Sequence, residues 1–377
     1  MTLFIRLFAL LFIIINPGKT HAQTCPIPPP GDANQDCRVD GLDYSVWLNN
    51  YNHSTTKGAE NGDFNNDGFV DGLDYVIWFK SYKDFEITPT DRTDKTSPTP
   101  SENDIAVCLR PYKENSPWNT PIGPSPKIHP NSDKIISGLP GSFGPDPFIY
   151  AYPVYHTDRK LKLKKIKYTG YYRYVTDDER RIITNKGENF LALQIPDDAL
   201  PSDDGNLIIL DKDSGVEWNI TKAIKERDGS WSVKDIYKYN IRHSGFAAGP
   251  FSRENGTPFL AGLIRSCEIK TGIIKHAIAF SYKHQKNNAS PFNIPRGTRL
   301  QLDPDSSAEK LKSWCGNDKV CQIMVKAMQK YGMYPVGFSD SPKIFVENQG
   351  SARWENLLEN TVLGRIPFSA FKIVIPK

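Results

Sequence analysis

One set of oxygen-bearing side chains occurs twice in this chain. Asp32, Asn34, Asp36, Asp40 and Asp43 recur as Asp63, Asn65, Asp67, Asp71 and Asp74, each shifted by 31 residues. Counted from Asp32 or Asp63, these are positions 1, 3, 5, 9 and 12 of a calcium loop. Position 7, Arg38 or Phe69, would contribute only its backbone carbonyl. Calcium is a hard cation that takes 6–8 oxygens, and this spacing can wrap one ion per repeat. Magnesium keeps more water and demands tighter geometry, so two Ca²⁺ sites are the expectation.

A helix is expected after each loop. Tyr44, Trp47, Leu48 and Tyr51 fall at i, i+3, i+4 and i+7, and Tyr75, Trp78, Phe79 and Tyr82 repeat that face. Pro26, Pro28, Pro29 and Pro30 lack N–H donors and fix φ, so no helix precedes the first loop. Each unit is a loop plus one helix, and two such units can bury their aromatic faces on each other.

The stretch of about residues 24–84 resembles a type I dockerin. The two complete loops, the Gly-Asp start, the missing entering helix and the tandem spacing carry the resemblance. It implies calcium-dependent docking to a cohesin-like partner. Positions 10 and 11 of dockerin loops contact cohesin, which places Leu42 and Leu73 on the expected partner-binding surface. Each follows a glycine, so the two repeats offer the same pair. One departure is Cys37, which stands where the family has glycine at position 6. A residue with a Cβ costs on the order of 1 kcal/mol at so sharp a bend.

The flanking segments read differently. Residues 1–22 resemble a secretory signal peptide: Arg6 starts it, Leu7–Ile15 is an apolar run, and Thr20-His21-Ala22 offers small residues for cleavage. The run is too short for a bilayer-spanning helix of about 20 residues, so no membrane association is expected after cleavage. Residues 31–82 hold nine acidic and three basic residues, whereas the whole chain is +4, so the remainder is mildly basic. That permits acidic partners; no nucleic acid is expected. Six cysteines in an exported chain point to disulfides, with 15 possible connectivities. Cys315 and Cys321 are close enough to pair locally, and Cys25 could reach Cys37. No CxxC pair suggests zinc.

The expected domains are therefore 1–22, a signal peptide; 23–84, the small α calcium-binding module of paired loop–helix repeats; 85–104, a Thr/Pro/Ser-rich linker; and 105–377, a larger mainly-β domain. The last shows many short strand candidates: 148–156, 160–168, 190–195, 207–210, 215–220, 230–239, 259–264, 273–282, 298–302, 343–346 and 370–375. Punctuated by turns such as Asp204-Gly205-Asn206, they suggest a β-sandwich or jelly roll with one or two helices, at 319–331 and 353–359.

No familiar catalytic signature is present in that domain: no GxSxG, HExxH, P-loop or GxGxxG. The candidates are polar residues among apolar ones. Ile274, His276, Ile278 and Phe280 alternate on a strand read over 273–282, which places His276 on an apolar face. Arg265 and Glu268 lie one turn upstream, His243 follows the strand ending near Tyr239, and Glu217 precedes Trp218. A cleft lined by His243, Arg265, Glu268 and His276 is the expected catalytic site. A carboxylate there would act as acid or base on a glycosidic bond, or a base and Arg265 would serve a lyase. The competing reading is a hydrogen-bonded core histidine and a structural ion pair. Lysines along 160–167 could attract an acidic glycan, or form a solvated strand face. GLIRSCEIKTGIIKHAIAF, GTRLQLDP and KAMQKYGMYPV resemble a family of secreted bacterial β-rich proteins, which implies export but no reaction. Because dockerins usually carry such cargo, a polysaccharide-acting domain is expected, with a non-catalytic binding or cell-surface protein as the alternative.

Overall fold

The computed structural model describes residues 28–375, apart from 36, 40, 52, 86–107, 158, 177–180, 187–188, 248–251, 254, 284–292, 353, 355–356, 359–360 and 362. The side chains of Leu42, Leu48, Phe79 and Tyr82 also lie outside that description. So do the expected signal peptide, nearly all of the linker, and Cys25. The chain divides into two compact units between Thr93 and Asp94.

In the smaller unit, helices Gly41–Asn50 and Gly72–Phe85 follow the two loops, joined by a 3₁₀ turn at Gly58–Asn61. Their aromatic faces meet. Tyr44 lies 5.1 Å from Trp78 and Trp47 lies 5.1 Å from Tyr75, between ring centroids. All four rings are buried, each contributing about 1.5–3 kcal/mol of apolar burial. The repeats also exchange contacts at their first glycines. A Cβ on Gly31 would stand 2.7 Å from the Trp78 Cα, and one on Gly62 would stand 2.5 Å from the Trp47 Cα. Each loop entrance therefore lies against the other repeat's helix backbone, which only glycine allows. Trp47 Nε1 seals the same seam by donating to the Asp71 carbonyl, 2.8 Å away.

The larger unit is mainly β, with three mixed sheets and few helices. Its outer layer is helical: Ser132–Ser137, Ala308–Cys315 and Lys319–Lys330 pack Ile135, Trp314, Met324 and Met328 into one core with Phe280, Leu300, Met333 and Ile373. Those last four belong to a seven-stranded sheet ordered Lys127–Ile128, Phe371–Ile375, Arg299–Leu302, Met333–Phe338, Ile278–Tyr282, Lys343–Ile344, Gly144–Pro145. Its opposite face contributes Ala279, Tyr334 and Val336 to a second core, which Val154, Ile208 and Leu210 join from a six-stranded sheet. That sheet runs Val154–His156, Leu207–Asp211, Val216–Thr221, Asp235–Asn240, Tyr171–Val175, Ile182–Lys186. Its far face sends Leu207, Ile209 and Ile220 against Ile166, Tyr168 and Trp231 of a four-stranded sheet. Alternate residues of Leu207–Leu210 thus face two different cores, which explains an unbroken apolar run in a strand covered on both sides.

Several expectations change here. A jelly roll is built from antiparallel neighbours, but Ile278–Tyr282 pairs in parallel with Met333–Phe338, and Val154–His156 pairs in parallel with Leu207–Asp211. The strand read at 230–239 is two strands in two sheets, Trp231–Val233 and Asp235–Asn240, with the chain turning at Lys234. Residues 259–264 form turns and one isolated bridge instead of a strand, because side chains satisfy their backbone. Phe259 N donates to Asn219 Oδ1 (2.7 Å) and Leu260 N to Glu217 Oε1 (2.9 Å). Arg253 takes the carbonyls of Pro258, Phe259 and Ala261. The strand read at 273–282 begins only at Ile278. The helix at 319–331 is present as Lys319–Lys330, capped by the Asp318 side chain. That at 353–359 falls partly outside the described residues, and its described part contains a turn at Leu357-Leu358.

Two disulfides tie the larger unit: Cys315–Cys321, the local pair, and Cys108–Cys267, which spans 159 residues.

Candidate functional site

The second loop of the small unit is closed by hydrogen bonds to its own aspartates. Asp63 accepts from the Asp67 and Gly68 amides (3.1 and 3.0 Å), and Asp74 accepts from those of Asn65 and Asp71 (3.0 and 2.8 Å). Asp67 and Asp71 accept from Phe69 N and Leu73 N two residues on. Burial raises the Asp74 pKa, against the opposing pull of the Asp71 and Asn65 amides. The first loop follows the same plan where it is described. Asp43 Oδ1 accepts from Ala33 N and Asn34 N (2.8 and 3.1 Å), and Asp32 Oδ2 from Cys37 N (3.0 Å).

Both loops bend at position 6 through a left-handed residue, Gly68 at φ 89° and Cys37 at φ 69°. The backbone demand that the family meets with glycine is thus real at Cys37. That cysteine is disulfide-bonded; the pairing expected with Cys25 lies outside the described residues. Asp36 and Asp40 lie there too. Among the described residues no three carboxylate, imidazole or thiol side chains converge as a metal cluster. The fit to a cation is carried by Asp32, whose Oδ1 is buried and accepts no hydrogen bond among the described residues. A buried carboxylate oxygen with no donor is costly unless a cation meets it. Leu73 stands on the rim of the second loop, 62% exposed; the Leu42 side chain is outside the description.

Residues 30–79 match the family model of the dockerin type I domain. The small unit therefore contains a dockerin domain. Dockerin domains bind cohesin partners, type I dockerins generally bind calcium, and proteins that carry them are typically extracellular or cell-surface assembly components. Among curated proteins and solved structures, nothing matches the chain. Among the described residues no helix is long and apolar enough to cross a membrane.

In the large unit, three of the four expected catalytic side chains do meet. The segment upstream of the strand read over 273–282 is a short helix, Ser266–Lys270, with Glu268 reaching back to the Arg265 amide (3.0 Å). Glu268 Oε1 also receives Arg265 Nη2 at 3.1 Å and His276 Nε2 at 2.9 Å. The other His276 nitrogen faces the Ala277 carbonyl at 2.9 Å, and Arg265 Nη1 donates to the Leu109 carbonyl at 3.1 Å. Burial opposes ionisation of Glu268, but Arg265 and His276 hold its pKa down to about 2. His243 stands apart: its amide and carbonyl bond Asn240 and Lys113, and no hydrogen bond or ion pair joins it to the other three among the described residues.

The cluster is enclosed. Arg265, Glu268 and His276 are 3, 4 and 3% exposed. Two of its members were not anticipated. Glu347 accepts from Ser266 N (3.2 Å) and Ser351 Oγ (3.1 Å), and burial pushes its pKa up to about 7, with the Glu268 charge adding to the rise. His156, at a strand end, is pushed down to about 4 by burial and by the Arg265 and Lys212 charges. A glutamate closing the apolar run Ile344-Phe345-Val346 was the signal for the first. Glu217 is likewise buried and satisfied, by Tyr112 Oη (2.8 Å), Asn219 Nδ2 (2.7 Å) and Leu260 N.

Open space lies elsewhere. A cavity of about 480 Å³ is lined by Pro117, Ile122, Arg299, Tyr334, Val374 and neighbours. A second, of about 560 Å³, is lined by Arg110, Glu114, Asn119, Tyr331 and others, and both share Asn115, Thr120 and Pro121.

Proposed function

We propose that this is a secreted protein that docks to a cohesin-like partner through its calcium-loaded dockerin and presents its β-rich domain to polysaccharide. The dockerin match at residues 30–79 carries this reading; the step to polysaccharide rests on the cargo that dockerins usually bear. Two calcium ions would be held by Asp32, Asn34, Asp36, Asp40 and Asp43 with the Arg38 carbonyl, and by Asp63, Asn65, Asp67, Asp71 and Asp74 with that of Phe69. When bound, each ion would offset half the charge of four aspartates that otherwise repel one another. Leu42 and Leu73 would form equivalent halves of the docking surface, supported by the exposure of Leu73. The resemblance of about 190–340 to secreted β-rich proteins supports export.

A second reading, a non-catalytic binding or cell-surface domain, is favoured by the closure of the Arg265–Glu268–His276 cluster. Catalysis by these residues, with or without His243, requires substrate to reach them. Enclosed as they are, they serve as a clasp joining the Leu109 segment, the Ser266–Lys270 helix and the Ala277 turn. Assaying the full chain for turnover and for binding on neutral and acidic polysaccharides separates the readings. Turnover abolished by His276→Ala in a protein that still melts normally supports catalysis there. Binding without turnover supports the second reading, and neither binding nor turnover contradicts both.

A further inference from the structure

Arg299 is a buried cation with no counter-ion among the described residues. It is 6% exposed, on a strand between two paired neighbours. Its Nε donates to Tyr334 Oη (2.7 Å), Nη1 to the carbonyls of Thr120 (2.8 Å) and Tyr331 (3.0 Å), and Nη2 to that of Pro117 (2.6 Å). Among the described residues it makes no ion pair. Of five guanidinium hydrogens, four are directed to neutral oxygens, so one on Nη2 remains unspent. Carbonyl dipoles orient such a charge without neutralising it, and a buried charge calls for an anion.

The cation lines the cavity of about 480 Å³ with Tyr334 beside it. The Tyr334 hydroxyl accepts the Arg299 Nε hydrogen, and its own hydrogen is given to no acceptor among the described residues. The guanidinium carbon lies 4.8 Å from the Tyr334 ring centroid, which fixes both groups. Pro117, Pro121, Ile122, Pro126 and Val374 give the wall around these two donors an apolar part, beside Asn115 and Thr120. The adjoining cavity shares Asn115, Thr120 and Pro121 with it. It carries Arg110 and Glu114 at its edge, and Asn119, 3% exposed, whose Oδ1 accepts no hydrogen bond among the described residues.

We propose that the two joined cavities form a groove for an acidic polysaccharide, with the carboxylate of one uronate residue seated on Arg299 and Tyr334 and the next sugar in the Asn119 lobe. One guanidinium and one hydroxyl hydrogen match the two oxygens of a carboxylate. The apolar part of the wall suits the C–H faces of a sugar ring, and the second lobe suits a polymer over a lone acid. The assignment rests on the polysaccharide reading and deepens it by naming the class.

Calorimetric titration of the full chain, in calcium, with a galacturonate trimer and with its methyl ester tests the groove. The acid should bind, more weakly at higher salt, and the ester should not. Tyr334→Phe keeps the ring and should weaken binding about five-fold, the size of one hydrogen bond, in a protein that remains folded at the titration temperature. Arg299→Lys should weaken it further. Equal binding of acid and ester, no binding of the acid, or full affinity in Tyr334→Phe would overturn the groove. Neutral oligosaccharides that bind undiminished by Tyr334→Phe would overturn it while leaving the polysaccharide reading intact; failure of every glycan, neutral or acidic, would remove both.

Discussion

Replacing Glu347 with glutamine should make the protein more stable at neutral pH, although it removes a buried, hydrogen-bonded side chain. Glu347 shares its surroundings with the Glu268 carboxylate, and the Ser266 amide and Ser351 hydroxyl do not offset its burial. Its pKa is raised from 4.5 to about 7. The folded state therefore binds a proton that the unfolded state has released. Stability from this group is fully present below pH 4.5 and is lost as pH rises to about 7. At about 1.4 kcal/mol per unit, the loss amounts to roughly 3 kcal/mol. Glutamine does not titrate and can still accept from Ser266 or Ser351. Urea unfolding of the full chain and of Glu347→Gln, in saturating calcium at pH 4.5 and pH 8, gives the comparison. The stability difference, variant minus wild type, should grow by about 3 kcal/mol across that range. A difference that stays constant would show that Glu347 is ionised in the folded protein and that the burial argument is wrong.

Glu268 should give the opposite trend at lower pH. Its depressed pKa, about 2 against 4.5, contributes stability above pH 4.5 that is lost as pH falls towards 2, and acid titration of Glu268→Gln should lack that loss. His276→Ala should cost about 3–5 kcal/mol in urea unfolding, because it leaves the Glu268–Arg265 pair with an unfilled acceptor in an enclosed site. Gly62→Ala should unfold the calcium-loaded small unit, since its Cβ would meet the Trp47 backbone at 2.5 Å; far-ultraviolet circular dichroism with a retained helical signal at 25 °C would speak against that close approach. Replacing Cys108 and Cys267 together by serine should lower stability by about 2–5 kcal/mol, a loss that equal melting curves would disprove.

Where the determinants are local, they were legible. The repeated carboxylate spacing and the i, i+3, i+4 aromatic pattern place a helix after each repeat, and helices Gly41–Asn50 and Gly72–Phe85 stand there. What sequence could not show is that Gly31 and Gly62 each lie under the other repeat's tryptophan, because that contact exists only after the repeats pair. In the large domain, the apolar run Phe259–Ile264 misled, since its backbone is satisfied by Asn219, Glu217 and Arg253 from elsewhere in the chain. Met333–Phe338 was missed for the converse reason. Pro335 and Gly337 lower strand propensity, yet tertiary pairing on both edges places this segment inside the seven-stranded sheet. Arg265, Glu268 and His276 lie close in sequence and meet in the fold, but their enclosure depends on the Leu109 and Glu347 segments, remote in sequence. Arg299 carried no signal beyond a charge within an apolar strand, and the cavity it lines is made by the 115–126 segment and the C-terminal strand.

The most direct test of the account is calcium-dependent docking. The full chain would be passed over a panel of immobilised type I cohesins in millimolar Ca²⁺, then in EDTA, and binding followed by surface plasmon resonance. The account predicts a cohesin bound in calcium and released by EDTA, with Leu73→Asp alone tolerated and Leu42→Asp with Leu73→Asp abolishing binding. Binding that persists in EDTA, or that survives the double substitution, would contradict it.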